Sequence, residues 1–285
     1  MDYKKTEKSG EYPFSEYYFV SDDKGMTPVP SFTATEYRPK ANKYCLCIPI
    51  INEKENIRLE LVRARMNKVH TVCDIIICDG GSTDGSADDD MLVAVGVNTL
   101  LVKKGPGKQG AQLRMGFWWA LERGYRGIIT IDGNNKDSIE DVPEFIEKLE
   151  EGYDFVQGSR FIQGGQAINT PLSRHLAVKF IHAPVISLTA GERFTDTTNN
   201  FRAYSQKYLT HPAVQPFRPV FKGYELLAYL STRASQLDLK TCEVPVTRAY
   251  PNQGKTPTKI SPIKGNARLL GILGANALRR YNPKK

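Results

Sequence analysis

Four short apolar runs, each closed by a polar turn, constrain this chain more than any other feature. They are YCLCIPI (44–50), VCDIIICD (72–79), VNTLLVKK (97–104) and GIITID (127–132). Runs of this length bounded by Gly, Asn and Asp read as buried strands. Helical periodicity fills several of the gaps. Ile57, Leu61 and Arg65 recur on successive turns after the first run, and Leu113, Phe117, Ala120 and Leu121 do so within 110–123. A further helix, from Ser138 to about Glu151, presents Ile139, Val142, Phe145, Ile146 and Leu149 on one side. Alternating strands and helices predict an α/β fold with a mostly parallel sheet covered on both faces. In such sheets ligands collect at the carboxyl ends of the strands. The most polar segments stand at those ends: Asn52–Glu53, Asp79–Asp84 and Asp132–Asp137.

The rest of the chain is less regular. Residues 1–43 scatter Tyr3, Tyr12, Tyr17, Tyr18 and Tyr37 among polar residues without a sustained period, and read as an amino-terminal extension of unknown order. DFVQGSRF supplies another strand and KTCEVPVTRAY a late one, with a helix between them around Tyr224–Gln236. One domain is expected over 44–260. Beyond it, Ser261 to Tyr281 can wind as an amphipathic helix with Ile263, Leu270, Leu273 and Leu278 opposite Lys264, Arg268 and Arg279. That pattern suits either an anionic membrane surface or packing against the domain.

Composition narrows the class. A formal charge of +8 favours anionic partners such as nucleotides, acidic membranes or nucleic acid. The basic residues are dispersed and carry no nucleic-acid-binding motif, so no nucleic-acid partner is expected. Five cysteines, mostly inside apolar runs, suit neither a zinc site nor a disulfide framework and read as reduced core residues. The start MDYKKTEKSGEYPF lacks the apolar segment of a secretory leader, and no run approaches the roughly 20 apolar residues of a membrane span. A cytoplasmic protein, soluble or peripheral at the membrane face, is the expectation.

Asp132 closes its strand and Asn134 follows two residues later, so two oxygen donors can project from one strand end toward Mg²⁺ or Mn²⁺. Asp-Gly is also a common turn pair, and the segment alone leaves both readings open. Asp79 closes the preceding strand, where it can accept from a nucleobase or a ribose, while Asp84 is placed as a cap of the turn GSTDGS. Gly105, Gly107, Lys108 and Gly110 form a basic loop before a helix, suited to approach phosphate. The four histidines lack the HExxH spacing of a zinc site, no GxSxG nucleophile elbow occurs, and the pair Trp118–Trp119 falls on a helix with at least one ring in the core.

In order, IPIINEKENI, IICDGGSTDGS, GKQGAQLRMGFWWALERGYRGIITIDGN and VPEFIEKLEEGYDFVQGSRF resemble the family 2 glycosyltransferases. Within that family the resemblance is to the branch of dolichyl-phosphate mannosyltransferases and bacterial polyprenyl-phosphate sugar transferases. Weaker matches follow in TDTTNNFRAYS, KGYELLAYLSTRASQL and EVPVTRAY, so that the likeness runs from about Tyr44 to Gly271. It implies a GT-A-type fold and inverting transfer of a sugar from a nucleoside-diphosphate donor, GDP- or UDP-linked, to a polyprenyl phosphate.

By the same resemblance Pro49, Asn52, Glu53 and Asp79 line the nucleoside site, Lys108 lies near the nucleotide, and Asp132 and Asn134 hold the metal. Arg160 and Arg202 face the phosphates or the acceptor, and Gln253–Gly254–Lys255 forms an acceptor-side loop. Arg174, Arg202 and Lys255 hold an anionic acceptor, although Arg174 and Arg202 serve equally as structural ion pairs and Glu225 as a structural carboxylate. Asp196 is the candidate base should the acceptor be a hydroxyl. Two departures weaken the metal site: Gly80 replaces the family's second Asp after the strand, and Asn134 removes a charge that Asp137 is placed to restore. The alternatives are a sugar-nucleotide nucleotidyltransferase and a noncatalytic binding protein of the same fold.

Overall fold

A computed structural model describes residues 3–7, 15–19, 29–251 and 264–283. Its strands are β1 (Tyr3–Glu7), β2 (Ser15–Phe19), β3 (Phe32–Glu36), β4 (Tyr44–Ile50), β5 (Asp74–Asp79), β6 (Thr99–Lys103), β7 (Gly127–Thr130), β8 (Phe155–Ser159), β9 (Gln166–Ile168), β10 (Arg202–Ser205), β11 (Thr241–Pro245) and β12 (Thr247–Ala249). The α-helices are α1 (Glu55–Met66), α2 (Asp89–Ala94), α3 (Gln109–Glu122), α4 (Val142–Glu150), α5 (Leu172–Ala177), α6 (Ala183–Ala190), α7 (Gln206–Thr210), α8 (Glu225–Arg233) and α9 (Lys264–Ala277).

Ten strands form one sheet in the order β1-β2-β3-β6-β5-β4-β7-β10-β8-β11, and β9 pairs with β12 in a small second sheet. The four strands read from the apolar runs make its parallel centre, β6-β5-β4-β7. Antiparallel pairing extends the sheet on both sides, through β3 on β6 and β10 on β7. The central strands β4 and β5 are buried along their whole length, as strands covered on both faces must be. One core lies beneath α3 and α8, the other beneath α1 and α4.

The region expected to be an extension contributes to the sheet. Residues 15–19 and 32–36 form strands joined edge to edge with the core, so the sheet begins well before Tyr44. Aromatic packing fixes them there: the Phe19 ring lies 4.7 Å from Trp118 and the Tyr17 ring 5.5 Å from Trp119, edge on. Both tryptophans are thus committed to packing, Trp119 within the core and Trp118 against it. Four of the five cysteines are buried and none is bridged.

Close packing of α3 on the sheet depends on Gly116. A Cβ there would stand 2.6 Å from Cys78 Sγ, closer than carbon approaches sulfur, and a tight 3.2 Å from Cys47 Sγ. This allows Gln112 to bury its amide and donate to Ile50 O (2.6 Å) and Cys78 O (2.8 Å), tying together the carboxyl ends of β4 and β5.

The carboxy-terminal helix differs from its expected orientation. Leu273, Ile272 and Asn276 face inward, where the Asn276 amide donates to Ala228 O and Thr232 Oγ1 on α8. Leu270 and Leu278 point outward, so the expected apolar face is divided between core and surface. Among the described residues no helix is long and apolar enough to cross a membrane.

Candidate active site

The strand order reverses at β4: β5 and β6 lie to one side of it and β7 to the other. Loops leaving β4 and β7 therefore diverge across a crevice, the usual ligand position in an open α/β sheet. Residues 51–54 and 131–135 form its two lips. The backbone is strained on both: Asn52, Lys54 and Asn135 all have positive φ, at 49°, 47° and 54°. Such conformations cost about 1–3 kcal/mol each and persist where surrounding structure enforces them, often at functional sites.

Hydrogen bonds enforce the first lip. Asn52 N–H donates to Ser82 Oγ and Asn52 Oδ1 accepts from Thr83 N–H, while the Glu53 and Lys54 amides share Ser86 Oγ. Pro49 is buried within β4. Asp79, expected to meet a base or ribose, is turned under the loop instead. Its carboxylate accepts from Gly81 N–H, Ser82 N–H and Ser82 Oγ, so the sequence's preference for Asp84 as the cap of this turn covers only half of it. Asp84 does cap the second half, accepting from Ser86 N–H and Oγ. Lys108 is exposed at the amino terminus of α3, where its own amide is held by Lys222 O.

On the second lip, Asp132 is partly exposed and accepts from Gln109 Nε2 at 3.0 Å. Asn134 Oδ1 is buried without a hydrogen-bond partner. Behind them Glu60 accepts from the Asn135 amide with one carboxylate oxygen and leaves the other unpartnered. Burial holds the Glu60 carboxyl well above the ordinary carboxylate range. Asp132 and Asn134 together offer hard oxygen donors, one of them unsatisfied, and that donor set fits Mg²⁺ or Mn²⁺. Among the described residues no three His, Cys, Asp or Glu side chains converge there.

Asp137, placed in reserve for the metal, is fully buried and paired with Arg248. Burial raises its carboxyl, with Arg248 acting in the opposite direction. Arg248 went unremarked in the sequence. Its second guanidinium nitrogen lies 3.4 Å from Asp132 Oδ2. The segment containing it is laid against 136–138 by Ser138 N–H to Thr247 O, Thr247 N–H to Ser138 Oγ and Ala249 N–H to Lys136 O. Tyr250 follows, its hydroxyl accepting from Arg174 Nη1 at 2.7 Å. Burial raises the Tyr250 hydroxyl, but Arg248 and Arg174 outweigh it and draw it below its ordinary value. Tyr250, Lys136, Asn134, Asn135, Asn56, Ala249 and Pro251 line a half-open cavity of about 270 Å³.

Two expected phosphate ligands lie elsewhere. Arg202 is buried and donates to three carbonyls, Asn199 O (2.8 Å), Leu227 O (2.8 Å) and Thr197 O (2.9 Å), so it clamps the chain between β10 and α8 rather than facing substrate. Arg160 and Asp196 form a bidentate buried pair, Nε to Oδ2 at 2.6 Å and Nη2 to Oδ1 at 2.9 Å, with side chains 2% and 0% exposed. Neither then serves as expected, since the arginine is spent on the carboxylate and the carboxylate has no path to a hydroxyl. Glu225 is structural, binding Gly223 N–H and Arg268 of α9. Lys255 and its neighbours Gln253 and Gly254 lie outside the described residues.

The family model for glycosyl transferase family 2 matches residues 45–213, from β4 into the segment after α7. The chain belongs to that family. It is 30% identical over 203 residues to an undecaprenyl-phosphate mannosyltransferase of Micrococcus luteus, covering 70% of this chain and 81% of that one. It is also 29% identical to a polyprenol monophosphomannose synthase of Mycolicibacterium smegmatis, over 70% and 75% of the two chains. Among solved structures, glucosyl-3-phosphoglycerate synthase of Mycobacterium tuberculosis with Mn²⁺, UDP and phosphoglyceric acid superposes with a TM-score of 0.55 at 18% identity, covering 83% of this chain and 78% of that one. The fold is thus GT-A-like and the protein is a glycosyltransferase, which displaces the nucleotidyltransferase reading.

Proposed function

We propose that this family 2 glycosyltransferase moves a sugar, with inversion, from a GDP- or UDP-linked donor to a polyprenyl phosphate. The observation that carries the reading is the crevice at the strand-order reversal. There Asp132 and the unpartnered Asn134 Oδ1 stand beside a cavity lined by Lys136 and Tyr250, with Arg174 on the Tyr250 hydroxyl and Arg248 reaching Asp132 behind it. Asp132 and Asn134 would hold Mg²⁺ or Mn²⁺, which offsets the diphosphate charge as the glycosidic bond breaks. Pro49, Asn52, Glu53 and Lys108 belong to the nucleotide side, with Asp79 shaping the loop beneath. Arg174 and Lys136 give the other side a cationic character suited to a phosphate acceptor, and Lys255 is proposed to join them. An ionised phosphate attacks the anomeric carbon without a base, which agrees with Asp196 being locked away in its ion pair.

The membrane-facing element is proposed to be the α5–α6 helix. Its outward side is Leu172, Leu176, Phe180, Ile181, Pro184 and Leu188, with Phe180 66% and Leu188 84% exposed. Residues 155–191 contain no Asp or Glu, and neither does the chain after Glu243. An apolar face beside segments that carry no acidic residue of their own suits insertion among anionic headgroups, at the cytoplasmic face of the membrane.

A thermal-shift series with UDP, GDP, CDP and dTDP, each with and without Mn²⁺, tests the donor half. At one hundred times Kd a ligand adds about 2.7 kcal/mol of stability. We expect a Mn²⁺-dependent rise with one nucleotide, lost in Asp132→Ala while that variant's ligand-free midpoint stays put. Metal-dependent turnover persisting in Asp132→Ala would remove the assignment.

A further inference from the structure

Arg248 is held asymmetrically. One guanidinium nitrogen is paired tightly with Asp137, which is inaccessible to solvent, while the other reaches Asp132 at a loose 3.4 Å. The backbone on both sides of the pair is fixed, because Asp137 and Arg248 form a β-bridge flanked by the Ser138–Thr247 and Lys136–Ala249 hydrogen bonds. Asp137 is therefore an anchor, and Asp132 is the contact that can be given up. The second oxygen of Asp132 is held by Gln109 Nε2, so both oxygens of the carboxylate meet donors before any ligand arrives.

We infer that Arg248 is an internal counter-cation for Asp132, and that it makes binding of the divalent ion depend on the nucleotide. This rests on the proposed metal role of Asp132. A divalent ion arriving alone must share Asp132 with a guanidinium and is repelled by it at short range. An ion arriving with a nucleoside diphosphate brings its own anion, and the guanidinium arm that leaves Asp132 turns to a phosphate oxygen. It stays anchored on Asp137 meanwhile. Arg248 thereby couples the two ligands, each strengthening the other by the same factor. Tyr250 and Arg174 continue the array away from Asp132, the first with its ring 5.8 Å from the Arg248 guanidinium and the second hydrogen-bonded to the Tyr250 hydroxyl. Arg248 acts as a positioning residue, since its effect on the ion passes through Asp132.

Mn²⁺ binding, followed by the paramagnetic resonance signal of the free ion, tests this in the full-length protein with and without GDP or UDP. The wild type should bind Mn²⁺ weakly alone and more tightly with nucleotide. Arg248→Met should bind Mn²⁺ alone about tenfold or more tighter than wild type, and nucleotide should add little. Because Met leaves Asp137 buried without a partner, Arg248→Lys is the companion: one ammonium can keep Asp137 but cannot span to Asp132, so Mn²⁺ alone should again bind more tightly in a folded protein. A wild type that takes up Mn²⁺ with nucleotide, beside Lys and Met variants whose affinity for Mn²⁺ alone is unchanged, overturns the inference and leaves the metal site standing. Mn²⁺ binding by none of the three, with or without nucleotide, would instead sink the metal site itself and the inference with it.

Discussion

Replacing Asp196 by Asn separates a structural carboxylate from a catalytic one. The change keeps the side-chain shape but removes the charge that balances Arg160, whose guanidinium is 2% exposed and cannot recover hydration in place. The amide also turns an N–H₂ toward the donors of Arg160, breaking one of the two bonds now at 2.6 and 2.9 Å. Removing one partner of a buried pair costs about 3–5 kcal/mol. The one charge-assisted bond that is lost accounts for roughly 1.5–3 kcal/mol of this, the uncompensated guanidinium for the rest. In a domain of this size about 2 °C is lost per kcal/mol, so the unfolding midpoint should fall by about 6–10 °C. Urea denaturation followed by circular dichroism measures the loss, and the double variant Arg160→Met/Asp196→Leu should restore most of it, since an apolar pair of similar volume removes both buried charges. Transfer activity assayed well below the lowered midpoint should survive in Asp196→Asn. An unchanged urea midpoint with transfer abolished would refute the structural assignment and return Asp196 to the role of base.

Two further outcomes follow from the same structure. Burial raises the Glu60 carboxyl above its unfolded value of about 4.3, so the folded state binds the proton more tightly than the unfolded one and stability declines as pH rises from there toward the folded pKa. Glu60→Gln cannot titrate, so its calorimetric midpoint should gain on wild type between pH 5 and pH 8; parallel curves would show that the carboxyl is not protonated in the fold. Phe180→Glu/Leu188→Glu should weaken co-sedimentation with vesicles containing anionic lipid while leaving the nucleotide-induced thermal shift intact, whereas undiminished sedimentation would place the membrane contact elsewhere.

The centre of the fold was legible because β4, β5, β6 and β7 are short, apolar and separated by helices with a clear period, and a strand buried on both faces has little choice of composition. The flanking antiparallel strands were not. Phe32 and Ala34 do alternate with Thr33 and Thr35, but five residues are too few to establish a period, and what fixes β2 and β3 is aromatic packing on Trp118 and Trp119, about a hundred residues distant. The site divides in the same way. Asp132 and Asn134, the proposed metal ligands, were expected to stand together because they share one strand end, and they do. Arg160 and Arg202 were misread because a charged residue in a turn reads as exposed, whereas here the carbonyls and carboxylate that satisfy them come from separate segments. Arg248 was missed for the converse reason: 116 residues separate it from Asp132, and only the docking of Thr247–Ala249 on 136–138 brings them together. Its one local signal was an arginine beside a tyrosine at the end of a strand-like run.

The disposition of carboxylates bears directly on the acceptor. Asp79 is committed to its turn, Asp137 to Arg248 and Asp196 to Arg160, while Glu60 is buried behind the second lip and Asp132 faces the proposed cation. None of these five is disposed to take a proton from an incoming hydroxyl. The cations are disposed otherwise. Arg174 lies on the Tyr250 hydroxyl and Lys136 sits 5.5 Å from the Tyr250 ring centre, so two cations meet the aromatic residue that lines the cavity, while Arg248 is balanced by Asp137 and Asp132. On the proposed reading a nucleophile that carries its own negative charge needs no deprotonation on arrival, whereas an alcohol needs a base that none of these five supplies. Acceptor choice is on that reading a matter of charge balance: the Arg248 arm that meets Asp132 in the unliganded protein turns to the nucleotide, while Arg174 and Lys136 are left to meet the attacking phosphate.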